Sequence, residues 1–160
     1  MTVTLPGLLP VRAMIEDLMG RQVDVTPGDP FKTDDLPSSV VALYADDMKK
    51  LVAVIGLDLP LAAYAGAALG LMPVGGAEDA VTDRKLSPAL LENVSELCNI
   101  LAGLLNREGG PHVRLHQVVA PGDSLPNDAA AYLLAVGRRL DVNVTISRYG
   151  GGRLAIALAE

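Results

Sequence analysis

The chain is 160 residues long, enough for one core of two packed layers, so a single domain spanning 1–160 is expected. Half of it is hydrophobic and a fifth charged, which excludes disorder, while a net charge of -6 argues against nucleic acid as a partner, since that binding comes mainly from Lys and Arg. Its one cysteine, Cys98, excludes an internal disulfide framework and any multi-cysteine metal site, and fits a reducing compartment, by default the cytoplasm.

In chain order, the start "MTVTLPGLLPVRAM" lacks the basic opening of a secretory signal, and Pro6 and Pro10 break its apolar run. Met14, Ile15, Leu18 and Met19 then recur at helical spacing and stop at Gly20, predicting a short amphipathic helix over 11–20. Val23 and Val25 alternate with polar neighbours ahead of Pro27-Gly28, a strand and its turn. Two β-rich runs around Asp46-Asp47 read as a hairpin. The apolar run 51–77 has the length of a membrane span, but Asp58 and Pro60 divide it into a buried strand and an Ala/Leu-rich helix too short to cross a bilayer. Residues 74–84, with Gly75-Gly76 and several acids, read as a surface linker.

Ser87 and Pro88 make a good helix start, serine as cap and proline preset for the first turn. The helix is expected to be the longest of the chain and to continue to Asn106 before "REGGP" halts it. "HVRLHQVVAP" alternates as a strand, "PNDAAAYLLAVGRR" reads as a short helix, and 140–147 and 154–158 alternate around Gly150–Gly152, a terminal hairpin with the glycines at its turn. Strands joined by hairpins, with few helices, imply an α+β fold: a mainly antiparallel sheet with two long helices packed on one face. "IEDLMG" and "SELCNILAG" each open a helix-then-strand unit, so that Glu16 and Met19 echo Glu96 and Asn99.

On the long helix, Leu90, Leu91, Val94, Leu97, Cys98, Leu101, Leu104 and Leu105 form a wide apolar face. Glu92, Glu96, Asn99, Gly103 and Asn106 recur on another, so Glu96 and Asn99 lie side by side. A helix that covers a core needs a solvated face, and Glu and Asn are ordinary there. The wider string "LLENVSELCNILAGLLN", followed by a strand and Pro121, nevertheless resembles the CheC/CheX/FliY family of chemotaxis phosphatases. The signature of that family is an acidic residue or serine, then E-x-x-N on a long helix, and a proline some two dozen residues on. Glu92, Glu96, Asn99 and Pro121 take those places, although Glu92 stands where Asp or Ser is more usual and Pro121 comes one residue early. A single signature helix makes the chain look more like CheX than the two-site CheC.

The resemblance implies that the substrate is a phosphorylated CheY-type response regulator, which brings its own aspartyl phosphate and Mg²⁺, so that this chain binds no cofactor or metal itself. It assigns Asn99 to orienting the attacking water, Glu96 to pairing with the receiver's lysine, and Glu92 and Pro121 to the partner surface. Gly103 either admits close approach of that partner or serves helix packing. The resemblance also implies a homodimer. The alternative is a catalytically silent domain of the same family that binds a receiver or serves assembly; a generic α+β module with a chance E-x-x-N is a third reading. His112 and His116, about 13 Å apart on a strand, are too far apart to share one metal. Cys98 falls in the apolar face and reads as a packing residue.

Overall fold

The computed structural model describes residues 3–159. Helix α1 (Leu8–Met19) leads into β1 (Val23–Pro27), a 3₁₀ segment (Thr33–Ser38), and the hairpin β2 (Val40–Ala45) and β3 (Leu51–Leu57). Helices α2 (Leu59–Leu69), α3 (Val74–Asp83) and α4 (Pro88–Leu101) follow, then β4 (Arg114–Val119), α5 (Asn127–Leu134) and the hairpin β5 (Arg139–Ile146) and β6 (Gly150–Leu158). The six strands form one antiparallel sheet in the order β1-β5-β6-β3-β2-β4. That order is unchanged when β1, β2 and β3 are exchanged with β4, β5 and β6. The sequence echo between α1 and α4 thus falls on topologically equivalent helices, and each unit's first strand pairs with the other unit's hairpin, β1 with β5 and β4 with β2.

Side-chain period explains which strands are covered on both faces. In β5 buried Val142, Val144 and Ile146 alternate with exposed Asn143 and Thr145, whereas all six residues of β2 are buried. One face carries α1, α2 and α4 over Val23, Tyr44, Ile55, Val144 and Ile156. The two long helices expected on one face are there, and in addition α5 and Phe31 cover the other face over β2, β3 and β6, burying Val41, Val54, Ala155, Ala157 and Leu133. Small residues make room for them, since a Cβ at Gly56 would lie 3.2 Å from both Leu133 and Phe31.

The predicted linker at 74–84 is instead helix α3. Ala77 and Ala80 bury a narrow stripe against Ala63, Ala67 and Leu90, and this packing outweighs the cost of about 1 kcal/mol for each glycine in its first turn. Gly150–Gly152 do not form the terminal turn either. Ser147–Tyr149 do, with Arg148 at φ 70°, and the glycines begin β6. Glycine is required there by close approach: a Cβ on Gly152 would sit 2.6 Å from the Leu61 nitrogen at the start of α2. No described helix is long and apolar enough to cross a membrane.

Asp58 caps α2, its Oδ1 accepting the Leu61 N–H at 3.0 Å. Burial lifts its carboxyl above the ordinary 3.8, against the opposing pull of that N–H and of Arg153. Between 3.8 and the raised value the folded chain therefore holds more protons than the unfolded one, and this group's contribution to stability falls as pH rises through that window. Asp58→Asn retains the cap and removes the titration, so melting temperatures measured from pH 4 upward should fall less steeply, or rise more steeply, with pH than those of the wild type.

Helices α2 and α4 touch closely because Gly66 lies against α4. A Cβ there would stand 2.9 Å from the Leu90 carbonyl oxygen and 3.0 Å from Val94 Cγ2. Gly66→Ala should therefore destabilise by about 1 kcal/mol despite alanine's helix propensity, because overpacking costs about 1–3 kcal/mol. Gly75→Ala in α3 meets nothing within 4 Å and should stabilise by up to about 1 kcal/mol. Urea titration of the two variants reads both signs.

Candidate functional site

Helix α4 begins where Ser87 Oγ accepts the Leu90 N–H at 3.2 Å, with Pro88 in the first turn. Its apolar face is buried, Leu90 against α2 and α3 and Val94, Leu97, Cys98 and Leu101 in the core over the sheet. Glu92, Glu96, Asn99 and Gly103 are exposed. At about 100° per residue the four fall within about 60° of arc, and Glu92 to Asn99 spans about 10 Å of helix. None of the side chains of Glu92, Glu96 and Asn99 has a hydrogen bond or ion pair among the described residues, so their polar atoms face solvent uncommitted.

The frame that presents this stripe is built from polar residues of another kind. The α-helix ends at Leu101 and tightens into a 3₁₀ turn, Ala102–Leu104, in which the Ala102 N–H turns to the Asn99 carbonyl. The Cys98 carbonyl accepts instead from the hydroxyl of Tyr44, fully buried on β2, at 2.6 Å. On the α2 side Asn93 Nδ2 donates to the Gly66 carbonyl at 3.0 Å. Beyond the helix end Asn106 donates to the Val113 carbonyl and accepts the Val113 N–H, both at 2.7 Å. Asn106 therefore joins α4 to the chain entering β4 and is not part of the exposed stripe, contrary to its helical spacing. Sequence periodicity marks Asn93 and Asn106 only as polar positions, and Tyr44 only as one more strand aromatic. Their partners, 27, 7 and 54 residues away, carry no local signal.

The remaining predicted residues separate. Gly103 lies in the 3₁₀ turn, where a Cβ would come within 3.1 Å of Met14 Cε, so its bare backbone admits α1. Pro121 stands in the turn after β4, off the stripe, where it lines a cleft together with Leu91 on the adjoining flank of α4. On α1, Glu16 accepts the Val23 N–H at 3.1 Å and lies 3.5 Å from Arg12, while Met19 is in the core. The echo of the E-x-x-N spacing is thus occupied structurally and carries no amide. Cys98 is buried, and burial pushes its thiol up to about 12, far from a reactive thiolate. His112 lies 3.3 Å from Asp47 beside Arg114, at the exposed entry to β4.

No protein-family model and no curated protein sequence matches the chain. Solved structures do match over nearly all of it. CheX of Borrelia burgdorferi, in a complex with CheY, BeF₃ and Mg²⁺, superposes with a TM-score of 0.57 at 15% identity over 92% of each chain. FliM of H. pylori, in a complex with SpeE, gives 0.63 at 11% identity, covering 94% of this chain and 80% of that one. FliY of Thermotoga maritima gives 0.53 at 14% identity, covering 92% and 81%. At these identities the likeness is one of backbone alone: the chain, an α+β fold with a six-stranded antiparallel sheet, has the CheC/CheX/FliY fold.

Proposed function

We propose that this protein hydrolyses the aspartyl phosphate of a CheY-type response regulator. The observation that carries the reading is the exposed, uncommitted Glu96 and Asn99 pair on a helix whose every other polar neighbour toward the core is tied down. An acyl phosphate is already activated, so a partner need only place a water in line with the phosphorus. The Asn99 carboxamide can accept one hydrogen of that water while staying neutral, which avoids the repulsion a carboxylate would meet beside a phosphoryl group. Water forms the new P–O bond, the bond to the receiver's aspartate breaks, and the aspartate leaves as a carboxylate while the water's proton ends on inorganic phosphate. On this reading Mg²⁺ comes with the phosphorylated receiver; the solved CheX structure is a complex with CheY, BeF₃ and Mg²⁺. Glu96, one turn before Asn99, takes a cation of the receiver and sets the docking register.

A second reading, a binding or assembly domain without turnover, is favoured by the likeness to FliM, whose solved forms include complexes with SpeE and with FliG. Decay of phosphorylated receivers from the same organism, followed with wild type, Asn99→Ala and Glu96→Ala, separates the two. Faster decay with wild type that is lost in Asn99→Ala supports the phosphatase. Binding without acceleration supports the assembly domain, and unchanged decay against every receiver sinks the enzyme reading.

A further inference from the structure

Beside the exposed stripe of α4 lies a cleft of about 360 Å³ that the proposed chemistry does not use. Its walls come from four parts of the chain: the 3₁₀ segment at Pro37, the α3–α4 connector Arg84–Leu86, α4 at Leu91, and the turn at Pro121. They are held before any partner arrives. The Gly122 N–H donates to the Pro37 carbonyl at 2.8 Å, and the Lys85 N–H donates to the Ala80 carbonyl at 3.1 Å. Leu86, Leu91 and Pro121 form a half-buried apolar floor, while Arg84 and Lys85 stand exposed on one lip. Neither cation forms an ion pair among the described residues, although Asp79 and Asp83 line the cleft on the connector's other side. Glu92 and Glu96, across Leu91 on α4, are equally unpaired. The surface therefore reads anionic, apolar, cationic over a short distance, with none of these charges neutralised by the chain itself.

Distance links this cleft to Asn99. Leu91 precedes Asn99 by eight positions, about 12 Å of helix, and the footprint of a standard interface, about 800 Å² per partner, is a disc about 16 Å in radius. A domain centred on Asn99 therefore reaches Leu91, the wall that α4 gives the cleft. We propose, resting on the receiver reading above, that the cleft is a second docking contact for the receiver. It accepts one apolar side chain of the receiver on Leu86, Leu91 and Pro121, flanked by a receiver carboxylate that meets Arg84 and Lys85. The order of charges then distinguishes one receiver from another, since a target with a cation at that place would be repelled.

The test uses CheY-type receiver domains of the same organism, loaded with beryllofluoride and Mg²⁺ for binding and phosphorylated for turnover. Arg84→Asn/Lys85→Glu reverses the lip; asparagine suits the left-handed backbone of Arg84, at φ 54°. Leu91→Gln removes apolar floor, and thermal melts verify that both variants fold. The expected result is a Kd at least tenfold weaker for each, a shallower salt dependence of association for the lip variant, and a raised KM with kcat kept. Asn99→Ala should show the converse, a lost kcat with Kd kept. Lip and floor variants that bind like wild type overturn the docking contact while leaving the Asn99 chemistry standing. Weakened binding in a protein that never accelerates decay supports the contact and overturns the phosphatase, and a wild type that neither binds nor acts on any receiver overturns both.

Discussion

Asn99→Ala should reduce the accelerated decay of a phosphorylated receiver by about 100-fold, the loss typical when a reacting group is no longer held in its attack geometry. That factor corresponds to about 2.7 kcal/mol of transition-state stabilisation. The observed drop is bounded by the receiver's own hydrolysis, which sets a floor, so the variant's rate should approach that of receiver alone. Because Asn99 is exposed and bonds to nothing through its side chain among the described residues, its removal should leave the melting temperature unchanged, which separates chemistry from folding. Asn99→Asp is the sharper control: it keeps the shape and adds a charge, and at about 4 Å from a phosphoryl charge the repulsion is about 4 kcal/mol for an effective dielectric of 20. The aspartate should be no better than alanine. Glu96→Ala should instead weaken receiver binding by about tenfold, with much of its turnover recovered at saturating receiver. An Asn99→Ala protein as fast as wild type would exclude the water-orienting role.

The largest loss of stability is expected at Arg139. Its Nε and Nη2 donate to the two carboxylate oxygens of Asp141, both at 2.8 Å, and its Nη1 donates to the carbonyls of Leu133 and Ala135 at 2.8 and 2.7 Å. The pair is 12% and 13% exposed, so the bidentate contact is largely desolvated, and the same guanidinium satisfies carbonyls left open where α5 ends. Arg139→Met leaves Asp141 without its partner and those carbonyls without a donor. A loss of about 3 kcal/mol is expected, in the range for breaking a buried pair from one side, and for a chain of this size the melting temperature should fall by about 6–12 °C. Adding Asp141→Leu should recover much of it, because removing both charges removes the unpaired carboxylate as well. A double-mutant cycle by urea unfolding reads the coupling, and a fall of less than about 2 °C for Arg139→Met would refute the assignment.

The elements legible in the sequence are those whose burial follows a simple period. Val142, Val144 and Ile146 alternate because β5 is covered on one face, and Leu90, Val94, Leu97 and Leu101 recur because α4 lies on one side of the sheet. Ser87-Pro88 and Asp58 mark helix starts through contacts three residues long. Helix α3 was hidden because its local preference is poor and only Ala77 and Ala80, meeting α2, make up for it. The cover on the second face is not legible because α5 is short and the residues it meets, Val41, Val54, Ala155 and Ala157, come from strands distant in sequence. Within the site, Glu96 and Asn99 were legible by their spacing. Asn106 was misplaced because the chain tightens after Leu101, and a 3₁₀ turn rotates about 120° per residue where an α-helix rotates about 100°.

By itself the sequence determined where α4 starts, which of its residues face the core, and that Glu96 and Asn99 share one side of it, because those properties depend on rotations and contacts within a few residues. Only the tertiary structure decided which polar groups remain free to act. Asn93 is drawn to Gly66, Asn106 to Val113, and Glu16 to Val23, while Glu92, Glu96 and Asn99 meet no partner among the described residues. A buried donor or acceptor must find a mate wherever the fold supplies one. Which carboxamides are spent in that way, and which is left facing solvent, is therefore settled when the distant segments close.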